Sequence, residues 1–499
     1  MTLLAVTIGL VLKELDFVAL RVAWYEHFQH SPSLPEPHGC QRLRGPIGAE
    51  DAVLLQTDPP ILITGELDAL AHEFTNQEDH GVSASSSPPG SLWAIDRLAA
   101  PTPRLTRLHV PLPDGVTTLH THGLGLHGDV LFVVNHAFRG GGERVERWRV
   151  EVLPDNDDSP PVKLTHLGSI LGHDGDDAGE GAWSFTSRLN GAINGIAPVG
   201  PHEFFMTQFL DAPASLEGAG SGSLEGYVSD NEGWLARTFR AAASLFNATL
   251  YAKIFIRSLR HSRVWHCFCA ETSMPSIDAE EGEEPRCERT QCDAVGPNST
   301  CWNGIAYRAV EKNVDGVSGY LVCSSHSYER PPSNEILVAC YVNDIFRRLI
   351  VEFGVLGSGK KTSLREERQF RVPYMVDNVH IDSHSGTDLW VGAVGMSHDS
   401  FFGGLDALQA NASTAYEAAV DEGSRAPRPH LLLRPSPDDP PQPPMPSGVL
   451  HVDLKSGEAA LRLLQHRELA SVSWSHRVGE RWFMGSPWDD GVLVCPVSD

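Results

Sequence analysis

The chain is dominated by short apolar runs that are bounded by Gly, Pro, Asp or Ser. Examples are "ILITGEL" (61–67), "DVLFVVNH" (129–136), "DLWVGAVG" (388–395) and "GVLVCPV" (491–497). Runs rich in β-branched and aromatic residues between turn formers favour strands, and here they do not alternate with helices as in βαβ folds. Short, evenly spread strands indicate a sandwich, a barrel or a propeller, and about two dozen of them in 499 residues favour a propeller.

Two segments depart from this pattern because their apolar spacing is helical. Residues 1–30 open with an apolar run of about a dozen residues, shorter than the roughly 20 that span a bilayer. The run is similar to the core of a secretory signal, and an amphipathic helix packed on the body is the alternative. Residues 233–260 predict a helix near 3.6 spacing with basic residues at its end. That helix could face a membrane, act as a lid, or cover one end of the sheets.

Residues 31–499 are the expected propeller, and two stretches look like inserts in it. Residues 267–300 are acidic and Cys-rich, and residues 421–447 contain many prolines, which predicts an extended loop. The spacings "CFC" and "CERTQC" fit zinc poorly, so disulfides are the preferred interpretation. With nine cysteines, at least one thiol stays free if all pairing is intramolecular.

The charge balance bears on partners and location. The chain carries 39 basic and 64 acidic residues, a net charge of −25. This surface repels phosphate backbones, so nucleic acid is not an expected partner, whereas cations are favoured. Three glycosylation triplets, at Asn247, Asn298 and Asn411, agree with entry into the secretory pathway. The expected location is therefore extracellular or membrane-associated.

Oxygen-bearing side chains recur beside strand-like runs, which suggests a calcium site. They are Glu50, Asp51, Asn194, Asn303, Asp377 and Asn378. Calcium prefers six to eight oxygen ligands from carboxylates, amides and carbonyls. In a propeller, donors at the start of several inner strands could converge on one axial ion. Each position alone has a simpler explanation, since Asn-Gly is a turn signal and Glu-Asp is often just solvated.

A second candidate element is a histidine-rich hairpin, "LHTHGLGLHGDVLFVVNHAF", with His120, His122, His127 and His136. Two imidazoles on neighbouring strands could relay protons near a metal. Zinc binding and inert loop histidines are the alternatives. The chain has no G-x-S-x-G motif, so a serine hydrolase elbow is not indicated.

Taken in order, these segments resemble the paraoxonase/arylesterase family, which are six-bladed β-propeller calcium hydrolases. The resemblance rests on "GCQRLRGPIGAEDAVLL", "HTHGLGLHGDVLFVVNH", "LNGAINGIAPVGPHEFFMT", "WNGIA", "MVDNVHIDSHSGTDLWVG" and "GVLVCPV". It covers most of residues 38–212, 301–395 and 447–497. The ordered set is specific, although no single motif is. The resemblance implies an all-β six-bladed propeller with an N-terminal hydrophobic helix and a helical cap.

The resemblance also implies the ligands of two calcium ions. The catalytic ion would be held by Glu50, Asn194, Asn303, Asp377 and Asn378. The second, structural ion would use Asp51, the carbonyl of Leu124 and the residue at position 195. Because Gly195 stands where the family has a carboxylate, that second site is in doubt.

Roles for the remaining residues follow from the same resemblance. His122 would activate a water molecule with help from His136, and a disulfide would join Cys40 to Cys495. The N-terminal helix would be retained and, with the helix at 233–260, could rest on a membrane or a lipid particle.

The implied activity is that of a carboxylic ester hydrolase acting on small-molecule aryl esters and lactones. A cation-polarised carbonyl would be attacked by water. Two alternatives stay open. One is a non-catalytic, calcium-stabilised propeller that binds a partner on its face. The other is a propeller enzyme similar to strictosidine synthase or gluconolactonase.

Overall fold

The computed structural model describes twelve stretches of the chain, with a few single positions missing inside some of them. They are residues 38–66, 90–112, 119–135, 144–171, 193–208, 263–273, 286–295, 300–309, 317–327, 349–394, 447–465 and 469–497.

Within these ranges the backbone forms 24 β-strands. The first twelve are β1 (Gln41–Ile47), β2 (Ala52–Leu55), β3 (Ile61–Gly65), β4 (Leu92–Asp96), β5 (Arg104–Arg107), β6 (Thr121–His127), β7 (Val130–Asn135), β8 (Arg144–Val152), β9 (Val162–Leu171), β10 (Ile193–Gly200), β11 (Glu203–Gln208) and β12 (Arg263–Ser273). The others are β13 (Arg286–Ala294), β14 (Thr300–Ala309), β15 (Val317–Ser327), β16 (Leu349–Leu356), β17 (Ser363–Arg371), β18 (Met375–Ile381), β19 (Asp388–Val394), β20 (Ser447–Asp453), β21 (Ala459–Gln465), β22 (Trp474–Val478), β23 (Arg481–Gly485) and β24 (Asp490–Pro496).

The strands form six antiparallel sheets of four, which are the blades of a propeller. Blades 1 to 5 take consecutive sets of strands: β2–β5, β6–β9, β10–β13, β14–β17 and β18–β21. The first strand of each blade contacts the first strand of the next, so β2, β6, β10, β14, β18 and β22 form a closed inner ring, which we call the hub. The predicted six-bladed all-β propeller is confirmed.

Blade 6 closes the ring by combining both ends of the described chain. Its order is β1-β24-β23-β22, so the first strand is the outermost strand of the last blade. Gln41 pairs with Val494 in the antiparallel register. The expected disulfide between Cys40 and Cys495 is present and joins residues 455 positions apart.

The apolar core lies between blades rather than inside any one of them. Six buried clusters are present in the described part, and each contains residues of two neighbouring blades. Along β3, Ile61 and Ile63 pack toward blade 2, whereas Leu62 packs toward blade 6. Because both faces of each sheet are buried, the strands read as continuous apolar runs rather than as an apolar–polar alternation.

In the Cys-rich stretch at 267–300, the described residues 267–273 and 286–294 belong to strands of the blade rather than to the loop that the composition suggested. Its cysteines lie largely on β12 and β13, which form the outer half of blade 3. Cys267 pairs with Cys292 directly across these strands and forms a disulfide with it. The many polar residues of β12 and β13 are explained by their position as outer strands, because one side of this strand pair faces solvent. Cys323 is a buried free thiol.

Several expectations fall outside the described residues. They are the helices at 1–30 and 233–260, the Pro-rich loop up to residue 446, His136, and the triplets at Asn247, Asn298 and Asn411. In the described ranges the helical piece is a 3₁₀ turn at Gly359–Lys361. No helix within them is long and apolar enough to cross a membrane.

Candidate functional site

The oxygen donors singled out in the sequence lie near the beginning of the hub strands. Glu50 and Asp51 directly precede β2, and the other donors lie early in β10, β14 and β18. All six are buried: Glu50, Asp51, Asn194, Asn303, Asp377 and Asn378. Burial of that many polar side chains in a protein interior calls for partners that satisfy them.

A β-bulge recurs in four successive hub strands, and in three of them, β10, β14 and β18, it contains a donor residue. On β18 the register advances three residues, from Val376 to Val379, while its partner β19 advances two. The same one-residue excess occurs between Ile193 and Ile196 on β10, between Trp302 and Ile305 on β14, and between Thr121 and Leu124 on β6. A bulge sets two residues opposite one and turns the strand locally. This explains how Asp377 and Asn378 fit inside an otherwise apolar strand.

Glycines beside these donors let neighbouring hub strands approach closely. A Cβ atom at Gly304 would lie 2.5 Å from the Cα of Asn378, and one at Gly195 would lie 3.0 Å from the carbonyl oxygen of Asn303. A Cβ atom at Gly123 would meet the carbonyl oxygen of Asn194. The glycines of the Asn-Gly pairs therefore allow adjacent strands to pack closely. From the sequence alone, these pairs were interpreted as turn signals.

Hydrogen bonds connect the donors around the hub. The Asn378 side-chain amide donates to the Glu50 carbonyl oxygen at 2.8 Å and lies 3.3 Å from its Oε1. Ser473, directly before β22, donates its hydroxyl to the same carbonyl at 2.8 Å. The Thr207 hydroxyl donates to the Asn303 carbonyl oxygen. The backbone at the donors is therefore fixed by side chains of other strands.

Four donor oxygens are buried without a hydrogen-bond partner among the described residues. They are Glu50 Oε2, Asn194 Oδ1, Asn303 Oδ1 and Asn378 Oδ1. Buried polar atoms nearly always have a hydrogen-bond partner. Four neighbouring oxygens without one therefore indicate that they interact with a group other than the described residues. Oxygens that can only accept would suit a hard cation.

The carboxyl groups repel one another in this setting. Burial and, to a smaller extent, the charge of Asp51 together raise the pKa of Asp377 to about 8, while a hydrogen bond with Asn303 acts in the lowering direction. Burial, followed by the charges of Asp377 and Asp51, also raises the pKa of Glu50, while Asn378 lowers it. A bound cation would relieve this repulsion, since opposite charge favours the ionised form.

The hub donors fit calcium better than a transition metal. In the described part, no cluster of three or more His, Cys, Asp or Glu side chains could hold a metal by itself. Carboxyl groups from Glu50 and Asp377, together with three amide oxygens, make a set containing only oxygen, which calcium accepts.

Three histidines lie close to these donors. His122, on β6, has its Nε2 3.6 Å from Glu50 Oε1. His380 and His476, on β18 and β22, were not expected at the site, and their ring centroids are 4.2 Å apart. His380 Nε2 lies 3.2 Å from Asp51 Oδ1. The signal that could have located His380 is its spacing, since it follows Asn378 by two residues on the same strand.

Comparison of the sequence finds no match: no protein-family model and no curated protein matches the chain. Among solved structures, the inulosucrase from Halalkalicoccus jeotgali has 10% identity and a TM-score of 0.34, with 89% of this chain and 96% of that chain covered. A Bacteroides uniformis protein provisionally named as a 6-phosphogluconolactonase has 10% identity and a TM-score of 0.33, covering 91% and 79%. An oligogalacturonate lyase in complex with manganese has 9% identity and a TM-score of 0.30, covering 92% and 90%.

Proposed function

We propose that the protein is a calcium-dependent hydrolase of aryl esters and lactones, similar to the paraoxonase/arylesterase family. The observation that carries this proposal is the group of four buried, unpartnered oxygens at the hub. They belong to four of the five residues that the resemblance named as ligands of the catalytic ion. These residues come from blades 1, 3, 4 and 5, so their approach depends on the whole ring.

Glu50, Asn194, Asn303, Asp377 and Asn378 would hold the ion. When bound, calcium would polarise a substrate carbonyl and stabilise the negative charge that develops on its oxygen. Two carboxylates and three amides leave the site charge-balanced against a divalent cation, so no further anionic ligand is needed. The fixed backbone around Asn303 and Glu50 keeps this donor set in place without reorganisation.

His122 is the candidate for handling the proton of the attacking water. Its ring is partly exposed at 18%, and it lies beside Glu50 at the hub. An imidazole can accept a proton near neutral pH, which makes it suited to general-base catalysis. The proposed assistance by His136 stays a prediction, because His136 lies outside the described residues.

The test is a hydrolysis panel of phenyl acetate and aliphatic lactones, measured with calcium and after removal of calcium by EGTA. We expect turnover that is lost in EGTA and restored when calcium is added back. Magnesium added at the same concentration is the matched control, since it prefers a smaller octahedral site. Turnover that persists in EGTA would contradict the mechanism. Stoichiometric calcium binding without turnover of any substrate would favour a non-catalytic propeller.

A further inference from the structure

Asp51 differs from the other hub donors because its carboxylate oxygens have protein partners. Oδ1 accepts a hydrogen bond from the backbone N–H of Ala52 at 2.8 Å. Oδ2 accepts one from the backbone N–H of Leu124, also at 2.8 Å. Leu124 is on β6 of blade 2, so the second bond crosses from blade 1 to blade 2. Leu124 thus meets Asp51 through its N–H, whereas the resemblance gave it a role through its carbonyl.

Two imidazoles extend this contact to blades 5 and 6. His380 Nε2, on β18, lies 3.2 Å from Asp51 Oδ1, a close approach of the two groups whose geometry is not that of a hydrogen bond. The His476 ring, on β22, packs against that of His380 with centroids 4.2 Å apart. His476 is buried, and its Nε2 lies 3.1 Å from the carbonyl oxygen of Ala52. Since a carbonyl only accepts, that nitrogen carries the hydrogen.

We infer that Asp51 is a positioning residue and no ion ligand: with His380 and His476 it forms a clamp that joins blades 1, 2, 5 and 6. The clamp takes the place that the resemblance gives to a second, structural calcium ion. It adjoins two proposed ligands of the first ion, because Asp51 follows Glu50 in sequence and His380 follows Asn378 by two residues. The Asp51–His380 contact therefore adjoins the direct hydrogen bond between Asn378 and the Glu50 carbonyl oxygen.

The surroundings of position 195 agree with this inference. The second ion would need a carboxylate there, and the chain has Gly195. A Cβ atom at Gly195 would lie 3.0 Å from both the Asn303 carbonyl oxygen and the side chain of Ile305. Contacts of 3.0 Å to a carbonyl and a packed side chain leave little room for a larger residue. The Gly195 N–H is also bonded to the Thr207 hydroxyl at 2.9 Å.

The clamp rests on contacts within the chain, whereas the expected count of one ion also rests on the proposed function. The first measurement is calcium stoichiometry of the wild-type protein by equilibrium dialysis, where we expect one ion per chain. Two ions per chain would overturn the inference. No bound calcium would overturn the proposed function, and the thermal data below would then decide the clamp alone.

The second measurement is the melting temperature of Asp51→Asn and His380→Gln in EGTA and in saturating calcium. Asn at position 51 loses one acceptor, while Gln at position 380 retains a donor near the Nε2 position. We expect Asp51→Asn to melt about 2–4 °C below wild type in both conditions, since the lost bonds do not involve an ion. The melting temperature of His380→Gln should lie between those of the wild type and of Asp51→Asn. A deficit of Asp51→Asn that disappears in EGTA would identify Asp51 as an ion ligand and overturn the clamp.

A matched control is Asp388→Asn. Asp388 accepts a hydrogen bond from His451 at 2.7 Å within blade 5, so it is an Asp–His pair away from the hub. The Asp388→Asn replacement should leave calcium affinity unchanged. Asp51→Asn should weaken calcium affinity about 10-fold, while the number of ions bound per chain should remain one. A further variant, Gly195→Asp, should also bind one ion. A second ion gained by Gly195→Asp would show that only the carboxylate was missing and would overturn the inference.

Discussion

At the scale of single residues, the hub donors combine burial with unmet hydrogen-bonding capacity. A buried acceptor left without a partner costs about 1–3 kcal/mol. Four such oxygens are present at the hub, so together they would cost about 4–12 kcal/mol, comparable with the whole stability of many proteins. A sequence can retain them only if something compensates, and a cation that meets all four at once is the simplest compensation.

The first prediction concerns Asp377. Replacing it with alanine should abolish measurable calcium binding and lower ester turnover by about 10²–10³-fold, because a charged ligand next to the substrate carbonyl is lost. Isothermal titration calorimetry with calcium and a phenyl acetate assay check both effects. Asp388→Asn, which alters a carboxyl group of the next strand, is the control. Near-normal turnover of the Asp377→Ala protein would contradict the proposed site.

The second prediction is the pH dependence of stability in a chelator. The pKa of Asp377 is about 8 in the ion-free fold against an ordinary value of 3.8, so the folded state binds this proton more tightly than the unfolded state. Its contribution is fully present below about pH 4 and is lost as the pH rises toward 8. In EGTA we expect the melting temperature to fall between pH 5 and pH 8.

Calorimetric scans in EGTA across this pH range measure the effect. Asp377→Asn is the control, and its melting temperature should fall less steeply, because one of the repelling carboxyl groups is gone. Saturating calcium should also flatten the wild-type curve. A melting temperature in EGTA that rises from pH 5 to pH 8 would disagree with the burial of these carboxyl groups.

At the scale of elements, the bulges on β6, β10 and β14 act together with the glycine that lies inside each of them. The bulge on β14 lies between Trp302 and Ile305, and Gly304 inside it lets β18 approach. A Cβ atom there would lie within 2.8 Å of backbone atoms of Asp377, Asn378 and Val379. Backbone cannot move aside as a flexible side chain can, so the two strands would have to separate.

The third prediction follows from that contact. Gly304→Ala should lower stability by about 1–3 kcal/mol, as overpacking does, and should weaken calcium binding because Asn303 and Asn378 shift apart. Chemical denaturation and calcium titration measure the two effects. Gly200→Ala on β10 is the control, since its Cβ would be 3.6 Å from the nearest atom. Equal behaviour of the two variants would argue against the close approach at the hub.

The sequence predicted the strands well and their local irregularities poorly. Runs such as residues 61–63 are apolar throughout because alternate side chains pack on different neighbouring blades, which leaves a clear signal. The bulges have no such signal, because they depend on how a strand pairs with its partner. The outer strands β12 and β13 were read as an insert because their polar face resembles a loop. His380 and His476 were missed because isolated histidines in strands carry no motif.

At the scale of the whole molecule, the six interblade clusters make stability a property of the ring. Each blade contributes one face to each of two clusters, so no blade has a core of its own. The number of blades and the Cys40–Cys495 disulfide were expected from the family resemblance rather than from periodicity, because the repeats differ in sequence. Pairing of β1 with β24 is a contact between residues about 450 positions apart, which local patterns do not reveal.

The fourth prediction concerns ring closure. Replacing Cys40 and Cys495 together with serine should destabilise the protein by about 2–5 kcal/mol, because the disulfide closes a loop of 455 residues and restricts the unfolded chain. The double replacement of Cys267 and Cys292 is the control, since that bond spans 25 residues within blade 3. Denaturation under oxidising conditions should show the larger loss for the first pair. The reverse order would argue that closure depends on strand pairing alone.

The position of β1 in the last blade also has a consequence for biosynthesis. Glu50 and Asp51 are synthesised shortly after β1, but β1 acquires its partner β24 only after all the intervening strands have been made. A chain shortened to end before β24 would therefore carry all five proposed ion ligands yet lack the strand that closes the ring around them. Metal loading should accordingly follow translation, and a fragment that ends before residue 490 should bind no ion at the hub.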